Sequence, residues 1–382
     1  MKNLLTTLMV LMIVTVAGAA LAGDMDWKFY GKLHTSIDYL DNGTDSGLYM
    51  ASNTSRFGFK GGTELQENLS FIWQFENSVN MAQKEGFGLA DRNTYLGFKG
   101  EFGKIIYGIH DTPFKTLGRK VDLFKDEMGD LRQTTMGWDR RMQDVVAWVS
   151  PDWSGFGIFG AYQLNQESTL GDDTMTAYSL MASYSKDAFF VGAAVEGLSE
   201  TYSAVQDEFA EDLVYGDAPM GIRLAAKYDA EKFAVTALYQ NISNWEGEWN
   251  GTEWDGWDTN TFGLGALFRA GDKWGIKGQY YMVNPFTDAE DDAGTTAIDE
   301  SDVNGNLIAL GVDHYMSKSV RVYFQWAMMG NGENAGFGLG GTTIDGDRMF
   351  NNGHGTYVDP SYDDDGKPKN PMGFSVGSVI KF

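Results

Sequence analysis

From Trp27 to its end the chain repeats one pattern, a run in which apolar and polar side chains alternate strictly. In the first run Trp27, Phe29, Leu33, Ile37 and Tyr39 fall on one face and Lys28, Lys32, His34, Ser36 and Asp38 on the other. A period of two is the signature of a strand with one apolar and one wetted face. The pattern returns at Leu69–Glu76, Phe156–Gln163, Tyr178–Tyr184, Phe189–Val195, Ile222–Tyr228, Phe233–Tyr239, Phe262–Phe268, Trp274–Met282, Leu307–Tyr315 and Val320–Met328. It closes with Phe374, Val376, Ile380 and Phe382 against Ser375, Gly377 and Lys381. With Arg56–Thr63, Asp91–Lys99, Gly103–Ile109 and Arg141–Ser150 the count reaches about sixteen, an even number as expected of a bacterial membrane barrel.

The connections decide between a membrane barrel and a soluble one. Short turns at Gly100–Gly103, Ser185–Ala188, Asp229–Lys232, Ala270–Lys273 and Ser317–Ser319 alternate with long polar stretches at Asp41–Thr54, Ser199–Ala218, Asn241–Asp258, Asn284–Asn304 and Gly330–Asn370. Short turns at one end and long loops at the other are the asymmetry of an outer-membrane barrel. Aromatic pairs flank the short turns: Tyr184 with Phe189, Tyr228 with Phe233, Phe268 with Trp274. Such rings favour the headgroup level, so they are expected to form a girdle. All 7 prolines fall outside strand interiors, where a missing donor breaks no ladder. Residues 1–22 carry a basic start, an apolar run Leu8–Val16 and Ala20-Leu21-Ala22, the layout of a cleaved secretory signal. One barrel domain, 23–382, is expected to follow.

One connection does not fit a simple loop. Asp111–Asp139 is far longer than an ordinary strand connection, yet Phe114, Leu117, Val121, Leu123, Phe124, Met128, Leu131 and Trp138 make it too apolar for a solvated tail. Its expected place is the barrel lumen, as a constriction of about residues 111–140 in which Lys115, Arg119, Asp122, Asp126, Glu127 and Asp130 face the water path.

The remaining chemistry is mostly exclusion. The chain has 29 Lys+Arg against 53 Asp+Glu, a formal charge of -24, which speaks against nucleic acid as a partner. It has no cysteine, and His34, His110, His314 and His354 form no recognisable catalytic arrangement. No enzymatic activity, cofactor or metal centre is expected. The clusters Asp288–Asp292 and Asp363–Asp365 lack calcium-loop spacing and read as solvated loops or as weak divalent-ion bridges to lipopolysaccharide.

The ordered set Arg92-x-x-Tyr95-Leu96-Gly97-Phe98-Lys99-Gly100, Phe102-Gly103, Tyr107-Gly108, Asp111-Thr112-Pro113-Phe114, Arg141-x-x-Asp144-x-x-x-Trp148-x-Ser150-Pro151 and a terminal Phe382 resembles the general diffusion porins of Gram-negative bacteria. The resemblance implies an all-β, 16-stranded antiparallel transmembrane barrel in the outer membrane, a homotrimer, with its third outer loop folded inward and acidic loop residues facing a wall of arginines. That wall falls here on Arg56, Arg92 and Arg141, with Lys60 beside them. Alternation places Arg56 inward against Phe57 and Phe59, and Arg141 inward against Val146 and Trp148. For Arg92 the phase is ambiguous, and the alternative for all three is a rim position paired with loop carboxylates. Phe382 is similar to the signal read by the barrel assembly machinery.

The expected function is a water-filled channel for passive diffusion of small hydrophilic solutes and ions. A solute-specific channel and a non-conducting structural or adhesive barrel are the alternatives. Tryptophans within Trp245–Trp257 suggest sugar stacking but belong to an outer loop. The bulk charge points to a weak cation preference, although Lys28, Lys32, Arg56, Lys60 and Arg141 are placed inward.

Overall fold

The computed structural model describes residues 25–82, 91–135, 137–167, 174–199, 219–249, 252–285, 304–333, 335, 337–339, 342–344, 347–350, 360–364 and 366–382. The expected secretory signal, residues 1–22, lies outside the described residues. In chain order the strands are β1 (Asp26–Asp41), β2 (Ser46–Ser52), β3 (Arg56–Gln66), β4 (Leu69–Ser78), β5 (Thr94–Gly100), β6 (Gly103–Asp111), β7 (Arg141–Val149), β8 (Phe156–Glu167), β9 (Thr174–Lys186) and β10 (Phe189–Leu198). They continue with β11 (Met220–Asp229), β12 (Phe233–Trp249), β13 (Thr252–Ala270), β14 (Trp274–Pro285), β15 (Gly305–Tyr315), β16 (Val320–Asn331), a small hairpin β17 (Thr342–Ile344) and β18 (Asp347–Phe350), and β19 (Met372–Lys381).

Each wall strand pairs antiparallel with its sequence neighbours, and β19 closes the ring by pairing with both β16 and β1. Strands β2 and β3 share one place in the wall: β2 pairs with Thr35–Asp41 of β1, and β3 with Asp26–Lys32. The 17 segments therefore fill sixteen wall positions, a closed 16-stranded barrel. Where the shared position breaks, at 53–55, Asn53 N still donates to His34 O at 2.8 Å and a side chain completes the pairing. The Ser55 hydroxyl accepts from His34 N at 2.9 Å and donates to His34 O at 3.0 Å.

Two stretches expected as long loops are instead paired. Within 41–54, β2 completes the second wall position above β3, and within 241–258 the hairpin β12–β13 runs on to Trp249 and Thr252. In both, a local composition rich in Gly, Asn and Asp was outweighed by the ladder of the strand before it. The side chains of the tryptophan-rich part, 244–257, lie outside the described residues, as do 286–303, which hold the first acidic cluster.

The two faces divide as alternation demands. Leu224, Val235, Leu264, Ile276 and Leu310 are exposed on the outer surface, while their strand neighbours Arg223, Thr236, Thr261, Lys277 and Gly311 point inward and are buried. An apolar outside and a polar inside invert the arrangement of a water-soluble barrel. Rings from adjacent strands meet at the short-turn end, with Phe189 and Tyr228 at 4.6 Å and Tyr228 and Phe233 at 5.7 Å. At the same end Phe382 exchanges backbone hydrogen bonds with Gly31 and packs on Phe29 at 5.4 Å. The last residue thus extends the ladder across the barrel seam.

Candidate functional site

The chain between β6 and β7 carries a run of fully buried apolar side chains. Phe114, Leu117, Val121, Phe124, Met128, Leu131 and Trp138 are each at most 1% exposed. The segment opens with a helical turn, α1 (Pro113–Gly118), because Thr112 caps it by accepting from Lys115 N at 3.1 Å and proline takes the first position, where no donor is needed. It ends in a 3-10 turn, Leu131–Thr134, capped by Asp130. Between them Asp126 adopts φ 62°, a left-handed conformation costly for a side chain other than glycine. The Asp130 carboxylate holds it there by accepting from Asp126 N at 2.7 Å.

Irregular backbone excluded from water needs partners, and the inner face of the wall supplies them. Ser179 of β9 accepts from Phe114 N, Thr261 of β13 donates to Thr134 O, and Lys277 of β14 donates to Leu123 O. Gln279 of β14 accepts from Leu123 N and donates to Gly129 O. Arg223 of β11, fully buried, donates to Phe114 O at 3.0 Å and to Asp139 Oδ1 at 2.6 Å, so it ties the two ends of the segment together.

Glycines of the wall make room for the segment's apolar side chains. A β-carbon at Gly192 would stand 2.6 Å from Leu117, at Gly373 2.7 Å from Met128, at Gly221 2.8 Å from Trp138 and at Gly311 3.0 Å from Phe124. Glycine inside a strand often marks such a close approach. Gly221→Val is therefore expected to displace the Trp138 ring and cost about 1–3 kcal/mol by overpacking. Its readout is a lower thermal unfolding midpoint, and an unchanged midpoint would show that the socket is not needed.

The charged residues of the segment do not face open water as expected; they are neutralised in place. Arg119 reaches three carboxylates, Asp122 at 2.8 Å, Asp126 at 2.8 Å and Asp130 at 2.7 Å. Arg132 joins Asp126 and Asp130 at 2.9 Å each, and Lys32 of β1 reaches Asp126 at 2.7 Å. Glu127 lies between Lys277, at 2.7 Å, and Arg321. Lys115 pairs with Asp111 at 3.1 Å. A carboxylate without such a partner could not stay ionised away from water. Burial, reinforced by nearby Asp130, pushes the Asp122 carboxyl up to about 7. At Glu127 burial acts in the same sense, but the Lys277 and Arg321 charges outweigh it and hold the carboxyl below its ordinary range.

The wall residues fall in three situations. Arg56 points inward as its alternation requires, 3.7 Å from Glu76 and 4.0 Å from Asp126, and Lys60 beside it lies over the Tyr30 ring at 4.6 Å. Arg92 precedes β5, which begins at Thr94, so strand parity never applied to it; it bonds Glu76 at 2.8 Å. Arg141 departs from the expected phase. A register shift between β6 and β7, with Asp144 at φ 48°, inserts one residue and gives Met142 the buried inward place. Arg141 instead bonds Asp111 at 3.0 Å, Asn93 Oδ1 at 3.0 Å and Asp91 O at 3.1 Å. Lys32 points inward as its alternation requires, and its bond to Asp126 adds it to the site. Sequence reasoning passed over Arg132, Arg223, Lys277 and Arg321. Three of these sit in phase with the polar faces of their strands, which was the available signal.

The family model for Gram-negative porins matches residues 7–356. The chain belongs to this family. As a member it is an outer-membrane protein, and its barrel is the family's own. This porin is 26% identical over 198 residues to the major outer membrane protein P.IB of Neisseria sicca, a match covering 47% of the chain and 55% of that relative. The anion-selective porin from Comamonas acidovorans shares the fold with TM-score 0.69 and 19% identity, over 94% of this porin and all of that chain. OmpT, an outer membrane protein of Vibrio cholerae in its trimer form, shares it with TM-score 0.64 and 17% identity, over 94% and 99% of the two chains.

Proposed function

We propose that residues 23–382 form one barrel domain, a water-filled channel through which small hydrophilic solutes and ions diffuse passively, and that the segment 111–140 narrows it at mid-height. The observation that carries this reading is the asymmetry of the inner face. The segment's apolar side chains rest on β10, β11, β15 and β19 through Gly192, Gly221, Gly311 and Gly373. The face formed by β1 and β3–β6 keeps Lys28, Lys60, Gln74, Lys99 and Lys104, each at least partly exposed. A lumen half filled by protein and half lined with charge conducts water and ions while excluding large or apolar molecules.

A homotrimer, contact with lipopolysaccharide, and recognition of the Phe382-terminated strand by the assembly machinery belong to the same reading. They are supported by the trimer form of the V. cholerae structure and by the place of Phe382 at the seam. In planar bilayers the purified protein is expected to give stable ohmic steps in potassium chloride. Liposomes containing it should swell in uncharged sugars at rates that rise linearly with concentration. Absence of conductance would leave only a structural or adhesive barrel, and saturation by one neutral sugar would replace general diffusion with a dedicated sugar path.

A further inference from the structure

We infer that a chamber beneath the segment is a binding site for small polyanionic solutes, phosphorylated or polycarboxylic, and that it gives the pore a preference for anions. This deepens the channel reading above and rests on it. It reverses the cation preference expected from bulk charge.

The chamber has a volume of about 350 Å3 and lies at the short-turn end, between 123–127 of the segment and the β15–β16 turn at 317–319. Six cations line it, Lys32, Arg56, Lys125, Lys318, Arg321 and Lys381, against two carboxylates, Asp126 and Glu127. Both carboxylates are already engaged. Asp126 is bonded by Lys32, Arg119 and Arg132, and Glu127 by Lys277 and Arg321. Among the described residues Lys125, Lys318 and Lys381 have no ion-pair partner, so positive charge is left over where the wall encloses the water.

Strand register gives a second, independent reason. Lys32 stands opposite Arg56, where Asp126 already lies between the two charges, but on the wall outside the chamber Lys28 stands opposite Lys60 across β1 and β3, and Lys99 opposite Lys104 across β5 and β6. Like charges directly opposed destabilise a sheet, and an anion lying between them relieves that cost. A solute with two or three anionic groups spans such a site; a chloride ion meets only part of it. The acids behind the net charge of -24 do not cancel this field. Asp126 and Glu127 are the only carboxylates among the described residues that line the chamber, and salt screens charge beyond a Debye length of about 8 Å. Low-dielectric walls concentrate the local field instead.

The test uses the whole protein in planar bilayers. Under a potassium chloride gradient the reversal potential is expected to take the sign of chloride permeation. Millimolar inorganic pyrophosphate should produce flickering block, stronger from the short-turn side. The double variant Lys125→Gln/Lys318→Gln should weaken that block by about tenfold and move the reversal potential toward potassium, because it removes two unpaired charges from the focused field. A protein that conducts, prefers potassium and ignores pyrophosphate overturns the inference and leaves the channel standing. A protein that does not conduct overturns the channel itself. Block that is equal in wild type and variant places the anion site elsewhere and rejects this chamber.

Discussion

Arg119→Gln should leave the barrel closed while freeing its inner segment, with a noisier and larger unit conductance. Every ion pair Arg119 makes is to the segment's own carboxylates, Asp122, Asp126 and Asp130. None is to a wall strand, so wall pairing loses nothing. Within the segment the loss is severe, because glutamine keeps the bulk but not the charge. Asp126 and Asp130 retain Arg132, but Asp122 retains only Gln279 Nε2 and its own turn, through Phe124 N. Removing one partner of a buried ion pair typically costs about 3–5 kcal/mol, and here one cation serves three acids. The φ of 62° at Asp126 is held through Asp130, so the turn around it should relax as well. Single-channel recording reads the outcome directly. If Arg119→Gln showed wild-type noise and an unchanged cut-off for neutral sugars, the hub would be dispensable and the segment would be held by the wall alone.

How much of this could be read beforehand follows from what a period of two encodes. Alternation tells which face a residue takes, so the apolar exterior, the inward Arg56 and the ladder ending at Phe382 were all legible. It cannot tell where a strand starts or gains a residue. Arg92 lies before β5, and the extra residue near Asp144 shifts the phase of Arg141. Nor does it give depth. Asp122, Asp126, Glu127 and Asp130 belong to a segment with enough apolar residues to be packed, yet beside Arg119 and Arg132 of the segment itself the partners of the first three include side chains of β1, β14 and β16, distant in sequence. The wall glycines offered the missed clue. Gly192, Gly221, Gly311 and Gly373 occupy polar-phase positions where a porous wall needs no small residue, and each one seats a side chain of the segment.

Arg223→Leu should be the most damaging single change in the wall, lowering the thermal unfolding midpoint and loosening both ends of the segment together. The guanidinium has no solvent exposure, stacks on the Phe114 ring at 4.1 Å and donates to Phe114 O, Asp139 Oδ1 and Gln240 Oε1. Leucine approximates the stem but supplies none of these donors. Asp139, whose side chain is only 3% exposed, then loses the ion pair it makes at 2.6 Å. An uncompensated buried carboxylate costs about 3–5 kcal/mol. Arg223→Lys should recover only part of this, since one ammonium cannot span donors that diverge as the guanidinium's do. The decisive measurement is a double-mutant cycle with Asp139→Asn. If the damage comes from the stranded charge, Arg223→Leu/Asp139→Asn should be more stable than Arg223→Leu alone, with a coupling of about 1–3 kcal/mol between neighbours that share a bond. Additive effects would instead assign the loss to Phe114 O and Gln240, and the pin between the segment's two ends would then be a matter of packing rather than charge.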